Sequence, residues 1–167
     1  MALVALARLE ASEPGRFGMV IVGAGPMSDT LTRQAEALHL SDRVLFSGFV
    51  PHRRLPDWIA RAQIGLLPFH ACPHIDSTLA NKLFEFMALA LPVVASDVPP
   101  MRRILEETGA GVLFRSGDPD DLARAIREMA SDPKAAREHG EAGARAVRSQ
   151  YHWGVDEERL LRAIARL

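Results

Sequence analysis

The chain has 167 residues, of which 48% are hydrophobic and 25% are charged, and its formal net charge is −1 at pH 7. This length is enough for one α/β domain with a buried core but not for two Rossmann-like domains, and the balanced charge gives no reason to expect nucleic acid or an anionic membrane as a partner. The single cysteine, Cys72, excludes an intrachain disulfide, which predicts a cytoplasmic location and a buried thiol.

The opening segment, Ala2–Glu10, has apolar residues at helical spacing and no strand before it. It lacks the basic start and cleavage site of a signal peptide, and no apolar run reaches the roughly 18 residues of a membrane helix. A doubly wound domain usually begins with a strand that leads into its first ligand-binding loop. We therefore expect no secretion signal, no transmembrane segment and a domain without its usual first strand.

Five short apolar runs rich in β-branched residues follow, each ended by glycine, proline or polar residues. They predict strands at Met19–Gly23, Val44–Gly48, Ile64–Phe69, Pro92–Asp97 and Gly111–Phe114. Helical patterns lie between the strands and at the end of the chain, at Thr30–Leu40, Leu55–Ala62, Leu79–Leu89, Met101–Thr108, Pro119–Ala130, Pro133–Gln150 and Val155–Leu167. The alternation predicts a Rossmann-like, doubly wound parallel sheet of about five or six strands, in a single domain over residues 1–167.

A glycine turn, Gly23-Ala24-Gly25-Pro26, joins the first predicted strand to a helix. Glycines at such a turn let backbone amides approach an anionic or sugar ligand closely. Because no third glycine follows, the turn does not meet the dinucleotide-binding fingerprint, which argues against a dehydrogenase. A tight turn without any ligand is an equally good interpretation of two glycines alone.

The segment from Asp76 to Ala90 is a second candidate site with two faces. The residues spaced toward a buried helix face are Leu79, Leu83, Phe86, Met87 and Ala90. Thr78, Lys82 and Glu85 line the other face. The interpretation of this polar face decides whether the helix binds a ligand.

A side chain at Asp76, Ser77 or Thr78 can cap this helix, so that its free amides favour a phosphate group and Lys82 adds positive charge. Glu85 can then accept hydrogen bonds from sugar hydroxyls. The alternative is an exposed Lys82–Glu85 ion pair, which would stabilise the helix by only about 0.2–0.5 kcal/mol.

Taken in order, these blocks resemble the family 4 type of retaining GT-B glycosyltransferases over almost the whole chain. The matching blocks are Val22–Pro26, Arg43–Gly48, Ile64–Pro68, Asn81–Glu85, Leu91–Ser96, Gly109–Phe114, Asp118–Leu122 and Tyr151–Trp153. In that family the C-terminal domain binds a nucleotide-sugar and the N-terminal Rossmann domain holds the acceptor. The resemblance therefore implies the donor-binding half of an enzyme that transfers a sugar from a nucleotide-diphospho-sugar to an unknown acceptor, with retention.

The resemblance also implies roles for particular residues. Glu85 matches the second glutamate of the family's paired-glutamate motif, which binds the ribose hydroxyls, whereas Ser77 replaces the first glutamate near the donor sugar. The family's arginine and lysine that grip the diphosphate have no counterpart here, and Ala90, where relatives often have glycine, predicts a backbone without positive φ. The predicted donor-binding residues are Gly23, Gly25, Gly48, Phe49, Val50, Ser77, Thr78, Leu79, Asn81, Lys82 and Glu85.

Two functional hypotheses remain open, and no residue is predicted to be catalytic. The first is the transferase; the second is a non-catalytic nucleotide-sugar-binding or regulatory module, favoured by Ser77 and by the missing diphosphate-gripping residues. The block order argues against a nucleotide-sugar epimerase or a phosphorylase. Scattered histidines predict no metal site, and no cofactor is expected beyond the donor.

The absence of an acceptor-binding half leads to two expectations for the isolated chain. It should not transfer sugar by itself, because catalysis needs donor and acceptor held together. An apolar cleft face near Gly25, Phe49 and His74 should be exposed, which predicts self-association.

Overall fold

The computed structural model describes residues Met1–Arg166, in which helices and strands alternate. The strands are β1 Met19–Val22, β2 Val44–Gly48, β3 Gly65–Leu67, β4 Val93–Ser96 and β5 Gly111–Phe114. The helices are α1 Ala2–Ser12, α2 Ser28–Ala37, α3 Leu55–Ile59, α4 Pro73–Asp76, α5 Asn81–Ala88, α6 Pro99–Thr108, α7 Pro119–Ser131, α8 Pro133–Ser149 and α9 Trp153–Ile164. Every predicted strand and helix is found, three of the strands shorter than predicted, and Leu167 lies outside the described residues. The sequence pattern did not predict α4 or the 3-10 turn His52–Arg54.

All strand pairs in residues 1–166 are parallel, which confirms the α/β class, but the strands form two sheets rather than one. β1 pairs with β2, whereas β3, β4 and β5 pair in that order. The prediction of one continuous sheet is therefore wrong. β1 and β3 are not hydrogen-bonded to each other in residues 1–166.

Helix α1 joins the two sheets. Leu3 and Leu6 pack in one apolar cluster with β1, β2 and α2, whereas Ala5 and Leu9 pack in a second cluster with Val94 and residues of α7. At the end of the helix, Arg127 donates from Nε to Glu13 at 2.8 Å. The first strands are thus attached to the rest of the fold through both faces of α1.

The larger sheet has the tighter core. All four residues of β4 are buried, and helices α5 and α6 cover the sheet with Leu83, Met87 and Ile104, each fully buried. Glycine lets α8 approach the end of α5, because a Cβ at Gly140 would lie 2.0 Å from the Ala90 carbonyl oxygen. This close packing fixes where α5 lies relative to the strands.

The end of α5 corrects the prediction for Ala90. The residue has φ +54°, and it is exposed rather than on the buried face. The Leu91 amide donates to the Phe86 carbonyl and the Ala90 amide to the Met87 carbonyl, both at 3.0 Å. These bonds form a Schellman turn, which requires a left-handed residue at this position whether or not it is glycine. None of the helices in residues 1–166 is long and apolar enough to cross a membrane.

Candidate functional site

The predicted site residues follow the carboxyl ends of the strands, where parallel α/β sheets bind ligands. The loops after β1 and β2 meet, because the Gly23 amide donates to the Gly48 carbonyl at 3.0 Å. Gly23 and Gly48 have φ +135° and +66°, values that favour glycine. A Cβ at Gly23, Gly25 or Gly48 would meet no atom within 4 Å, so the space beside this turn is open.

The neighbouring residues differ in what they offer to a ligand. The Gly25 amide already donates to the Ser28 hydroxyl at 3.0 Å, so a ligand must displace Ser28 to use it. Phe49 presents a ring that is 79% exposed, and Val50 beside it is half-buried. An exposed aromatic ring is a stacking surface for a planar group.

The start of α5 lies later than predicted, and its cap is different. The residue before the helix is Ala80, and no side chain caps it. Ser77 instead donates from Oγ to the carbonyls of Pro73 and His74, at 3.0 and 3.1 Å. Pro73 favours the start of the short α4, and Ser77 is used to end it. The first amides of α5 therefore have no side-chain acceptor, which makes them available to an anion.

Glu85 projects from the second turn of α5 toward the loop after β2. Its Oε1 lies 3.2 Å from His52 Nε2, and the carboxylate side chain is 32% exposed while the imidazole is 85% exposed. The alternative Lys82–Glu85 ion pair is therefore not found, and Lys82 is exposed on the same helix. The His52 contact joins Glu85 to the short turn that follows the segment Gly48–Val50 in the chain, although Glu85 itself is distant from this segment in sequence.

An open cavity of about 330 Å³ adjoins the start of α5. The residues that line it are Asp76, Ser77, Thr78, Leu79, Pro99, Pro100 and Arg103. Arg103 was not predicted, because it belongs to α6 and no local motif marks it. The neighbouring Arg102 is held by Asp97 at 2.7 Å, whereas Arg103 forms no ion pair within residues 1–166. Arg103 is thus the cation open to this cavity.

The loop after β3 is held in place by two serines. Ser96, fully buried in β4, donates to the Phe69 carbonyl at 2.6 Å, and Ser116 donates to the same oxygen at 3.1 Å. The Ala71 amide donates to Ser116 at 2.8 Å. These bonds fix the loop that leads into α4 and the cavity. Cys72 lies in this loop and is exposed, so its predicted burial is wrong because it precedes α4 outside the core.

The outer side of α5 is held by the aromatic segment near the end of the chain. Tyr151 stacks on Phe84 with ring centroids 5.3 Å apart. Burial, and then a hydrogen bond with Glu107, raise the pKa of Tyr151 above its usual value of 10.0. Within the described part of the chain, no three metal-binding side chains cluster. His70 and His74 belong to no such group among these residues.

Comparison with known families and proteins finds relatives of the kind that the sequence blocks resemble. A family model described as "Glycosyl transferases group 1" matches residues 1–146. The D-inositol 3-phosphate glycosyltransferase of Streptosporangium roseum is 30% identical over 167 aligned residues, covering 95% of this chain and 37% of that protein. The glycogen synthase of Mycobacterium tuberculosis is 28% identical over 152 residues, covering 91% of this chain and 35% of that protein. The chain thus spans about a third of the length of these curated relatives.

Two solved structures share the fold. Anabaena HepE in complex with UDP has a TM-score of 0.86 and 20% identity, over 99% of this chain and 44% of that chain. The C-terminal domain of a group 1 glycosyl transferase, LpcC, from Francisella tularensis has a TM-score of 0.73 and 20% identity, over 89% of this chain and 76% of that chain. The predicted fold, the C-terminal half of a GT-B protein, is confirmed.

Proposed function

Because the chain belongs to the group 1 glycosyl transferases, we propose that it is the donor-binding part of an enzyme that transfers a sugar from a nucleotide-diphospho-sugar to an acceptor, with retention. The observation that carries this proposal is the position of Glu85. Its carboxylate lies 3.2 Å from His52 in the loop after β2 and on the same helix as the uncapped amides. One nucleotide can therefore contact both the loop after β2 and the start of α5.

In this proposal Glu85 accepts hydrogen bonds from the two ribose hydroxyls. A half-exposed carboxylate has free lone pairs for two donors, and binding replaces its contact with the exposed His52. The backbone of Gly48–Val50 meets the base, and the Phe49 ring covers it from the solvent side. The glycine turn at Gly23 and Gly25 leaves space beside this segment.

The diphosphate is assigned to the start of α5. Its amides carry no side-chain cap, and the helix dipole favours negative charge there. Lys82 is exposed in the first turn, and Arg103 approaches from the cavity that Thr78 and Leu79 line. Asn81 begins the helix and can donate from its side-chain amide. These groups stabilise a phosphate leaving group without a metal ion or another cofactor.

Several of the related structures contain ligands of this chemical class. Anabaena HepE was solved with UDP and with UDP-glucose, which supports a uridine nucleotide or a similar donor for the present chain. Since the relatives are about three times longer, the acceptor is assigned to a Rossmann domain outside these residues. The isolated chain should then bind donor without transferring sugar.

Titration calorimetry with UDP and GDP tests the assignment of Glu85. Glu85→Gln should weaken binding by about 1.5–3 kcal/mol, the range for hydrogen bonds to a charged group, while the circular dichroism spectrum stays unchanged. Glu138→Gln is the matched control, because Glu138 lies on α8 and contacts Lys134 at 3.9 Å. Equal affinities of both variants and the parent for every nucleotide that binds would refute the role of Glu85.

A second candidate, a nucleotide-sugar-binding module without catalysis, is favoured by Ser77. Its hydroxyl is turned back onto the carbonyls of α4, so the position that is a carboxylate in the resembled family offers no charge to the donor sugar. The two functions differ in turnover by the chain joined to its N-terminal domain. Sugar transfer by that protein supports the enzyme, and nucleotide-sugar binding without transfer supports the module.

A further inference from the structure

Arg103 is a cation that forms no ion pair with a carboxylate of residues 1–166. It lies in the second turn of α6, next to Arg102, whose guanidinium is paired with Asp97 at 2.7 Å. Glu107, four residues after Arg103 on the same helix, is at the spacing of an intrahelical ion pair. Glu107 instead accepts a hydrogen bond from the Tyr151 hydroxyl. The Arg103 guanidinium therefore remains available to a ligand.

Tyr151 is held in place by α5, the helix to which the diphosphate is assigned. Its ring stacks on Phe84 of α5, with the ring centroids 5.3 Å apart, while its hydroxyl contacts Glu107 of α6. One side chain thus joins the two helices and occupies the carboxylate that could otherwise pair with Arg103. This arrangement leaves the guanidinium free beside the cavity at the start of α5.

The cavity beside Arg103 has the volume of a small ligand site. Its volume of about 330 Å³ lies at the lower end of the range of about 300–1,000 Å³ for small-molecule pockets. Thr78 and Leu79 line the side that leads into the first turn of α5, and Pro99 and Pro100 line the side of α6. A group attached to a diphosphate at the start of α5 would therefore enter this cavity. In the proposed function, on which this inference rests, that group is the donor sugar.

The cavity offers opposite charges on its two sides. The first two residues of α6 are prolines and have no amide hydrogen, so the donors that line the cavity on this side belong to the Arg103 guanidinium. On the other side, the Ser77 hydroxyl already donates to two carbonyls of α4. Asp76, also on that side, is exposed and forms no ion pair in the described part of the chain. A ligand that satisfies both sides therefore has hydroxyl donors for Asp76 and an anionic acceptor for Arg103.

We propose that the donor sugar carries a carboxylate, as a hexuronic acid does, that Arg103 binds this carboxylate, and that Tyr151 keeps Arg103 available by holding Glu107. The planar guanidinium matches a carboxylate with two parallel N–H···O bonds, while Asp76 accepts hydrogen bonds from the ring hydroxyls. A neutral hexose would offer Arg103 only hydroxyl oxygens and leave its charge unpaired. The phosphates are contacted by Lys82 and by the uncapped amides of α5. Arg103 thus selects the sugar, and its charge also favours the neighbouring diphosphate.

Titration calorimetry of the chain with a nucleotide and with two of its sugar conjugates, which differ from each other only at C6 of the sugar, tests the proposal. UDP, UDP-glucose and UDP-glucuronate form one series, and GDP, GDP-mannose and GDP-mannuronate form a second, so that the base is not assumed. Arg103→Gln removes the guanidinium charge. Arg102→Gln is the matched control, because it removes the same charge from the neighbouring residue of α6, which is already paired with Asp97.

In the series whose nucleotide binds, the parent should bind the uronate at least about tenfold more tightly than the hexose, as expected for hydrogen bonds between charged groups. Arg103→Gln should reduce this ratio to about one or below, with the affinity for the nucleotide alone changed by no more than about fivefold, and Arg102→Gln should keep the ratio. Equal binding of uronate and hexose by the parent would overturn the inference. Equal weakening of all three ligands by Arg103→Gln would assign Arg103 to the phosphates and overturn the inference alone, whereas absence of binding by every ligand would overturn the proposed function as well.

A second pair of variants tests the role of Tyr151. Tyr151→Phe keeps the ring that stacks on Phe84 but releases Glu107 to pair with Arg103, so the preference for the uronate should fall by about two- to fivefold. Adding Glu107→Gln should restore the preference, because it removes the competing carboxylate. An unchanged preference in Tyr151→Phe, or a loss that Glu107→Gln does not restore, would overturn this role, since a purely structural effect of the hydroxyl would not be rescued in this way.

Discussion

The strands of the two sheets look alike in sequence but differ in how they are buried. All four residues of β4 are buried, whereas Val20 of β1 and Leu45 of β2 are 53% and 52% exposed. Helices cover both faces of the larger sheet, but Leu3, Leu6 and their neighbours cover only one face of the smaller sheet. β-branched periodicity therefore identifies a strand, while its burial depends on the layers that the rest of the protein supplies.

The largest difference in stability is expected when one leucine from each sheet is replaced by alanine. Leu67→Ala should lower the free energy of unfolding by about 2–5 kcal/mol, because Leu67 is 1% exposed and truncation leaves a cavity. Leu45→Ala should cost no more than about 0.5 kcal/mol. Urea unfolding of both variants measures the difference. Equal losses would mean that the face of β2 is covered in solution, contrary to the exposure of Leu45.

A smaller effect on stability is expected at two residues with left-handed backbone, one after a helix beside each sheet, and it should have the same size at both. Ala90 follows α5 and His39 follows α2, and both are exposed, with φ +54° and +56°. Glycine at either position relieves left-handed strain, so Ala90→Gly and His39→Gly should each raise the free energy of unfolding by about 0.5–1 kcal/mol. Thermal unfolding checks this. A gain at one site alone would show that the stability gained by relieving left-handed strain depends on the surrounding structure.

The smallest effect is expected at Glu13, where a hydrogen bond from Arg127 joins the end of α1 to α7. Arg127, and then Arg16, lower the pKa of Glu13 below its usual 4.5 by hydrogen bonding to the carboxylate. A lowered pKa in the folded state gives stability that is present above the unfolded value and is lost as the pH falls through the folded value. Glu13→Gln should therefore lose less stability than the parent between about pH 6 and pH 3. Urea midpoints across that range test it, with Glu138→Gln as control, and parallel curves for Glu13→Gln and the parent would contradict the link.

The sequence predicted the alternation of strands and helices along the chain, because apolar periodicity depends only on residues that are close in sequence. It failed where the result depends on long-range packing. Ala90 is left-handed because the Schellman turn requires it, and Cys72 is exposed because α4 begins outside the core. The sequence allows Ser77 to cap α5, but the Ser77 hydroxyl donates to the nearer carbonyls of Pro73 and His74 in α4.

Some features of the candidate site could likewise be predicted from the sequence, and others depend on long-range packing. The helix face with Lys82 and Glu85 could be predicted from spacing, and the role of Glu85 came from the resemblance. Arg103 and the contact of His52 with Glu85 could not be predicted, since each joins residues that only the fold brings together. The role of every site residue stays a prediction until nucleotide binding is measured.

Amide hydrogen exchange with and without saturating UDP tests whether the loop after β2 and the start of α5 form one nucleotide site. GDP is used in parallel so that the base is not assumed. If they do, UDP should slow exchange at Gly48–Val50 and Leu79–Glu85 and leave α8 and α9 unchanged, and Glu85→Gln should abolish the effect. A bound nucleotide that protects other segments and leaves these two unchanged would contradict it.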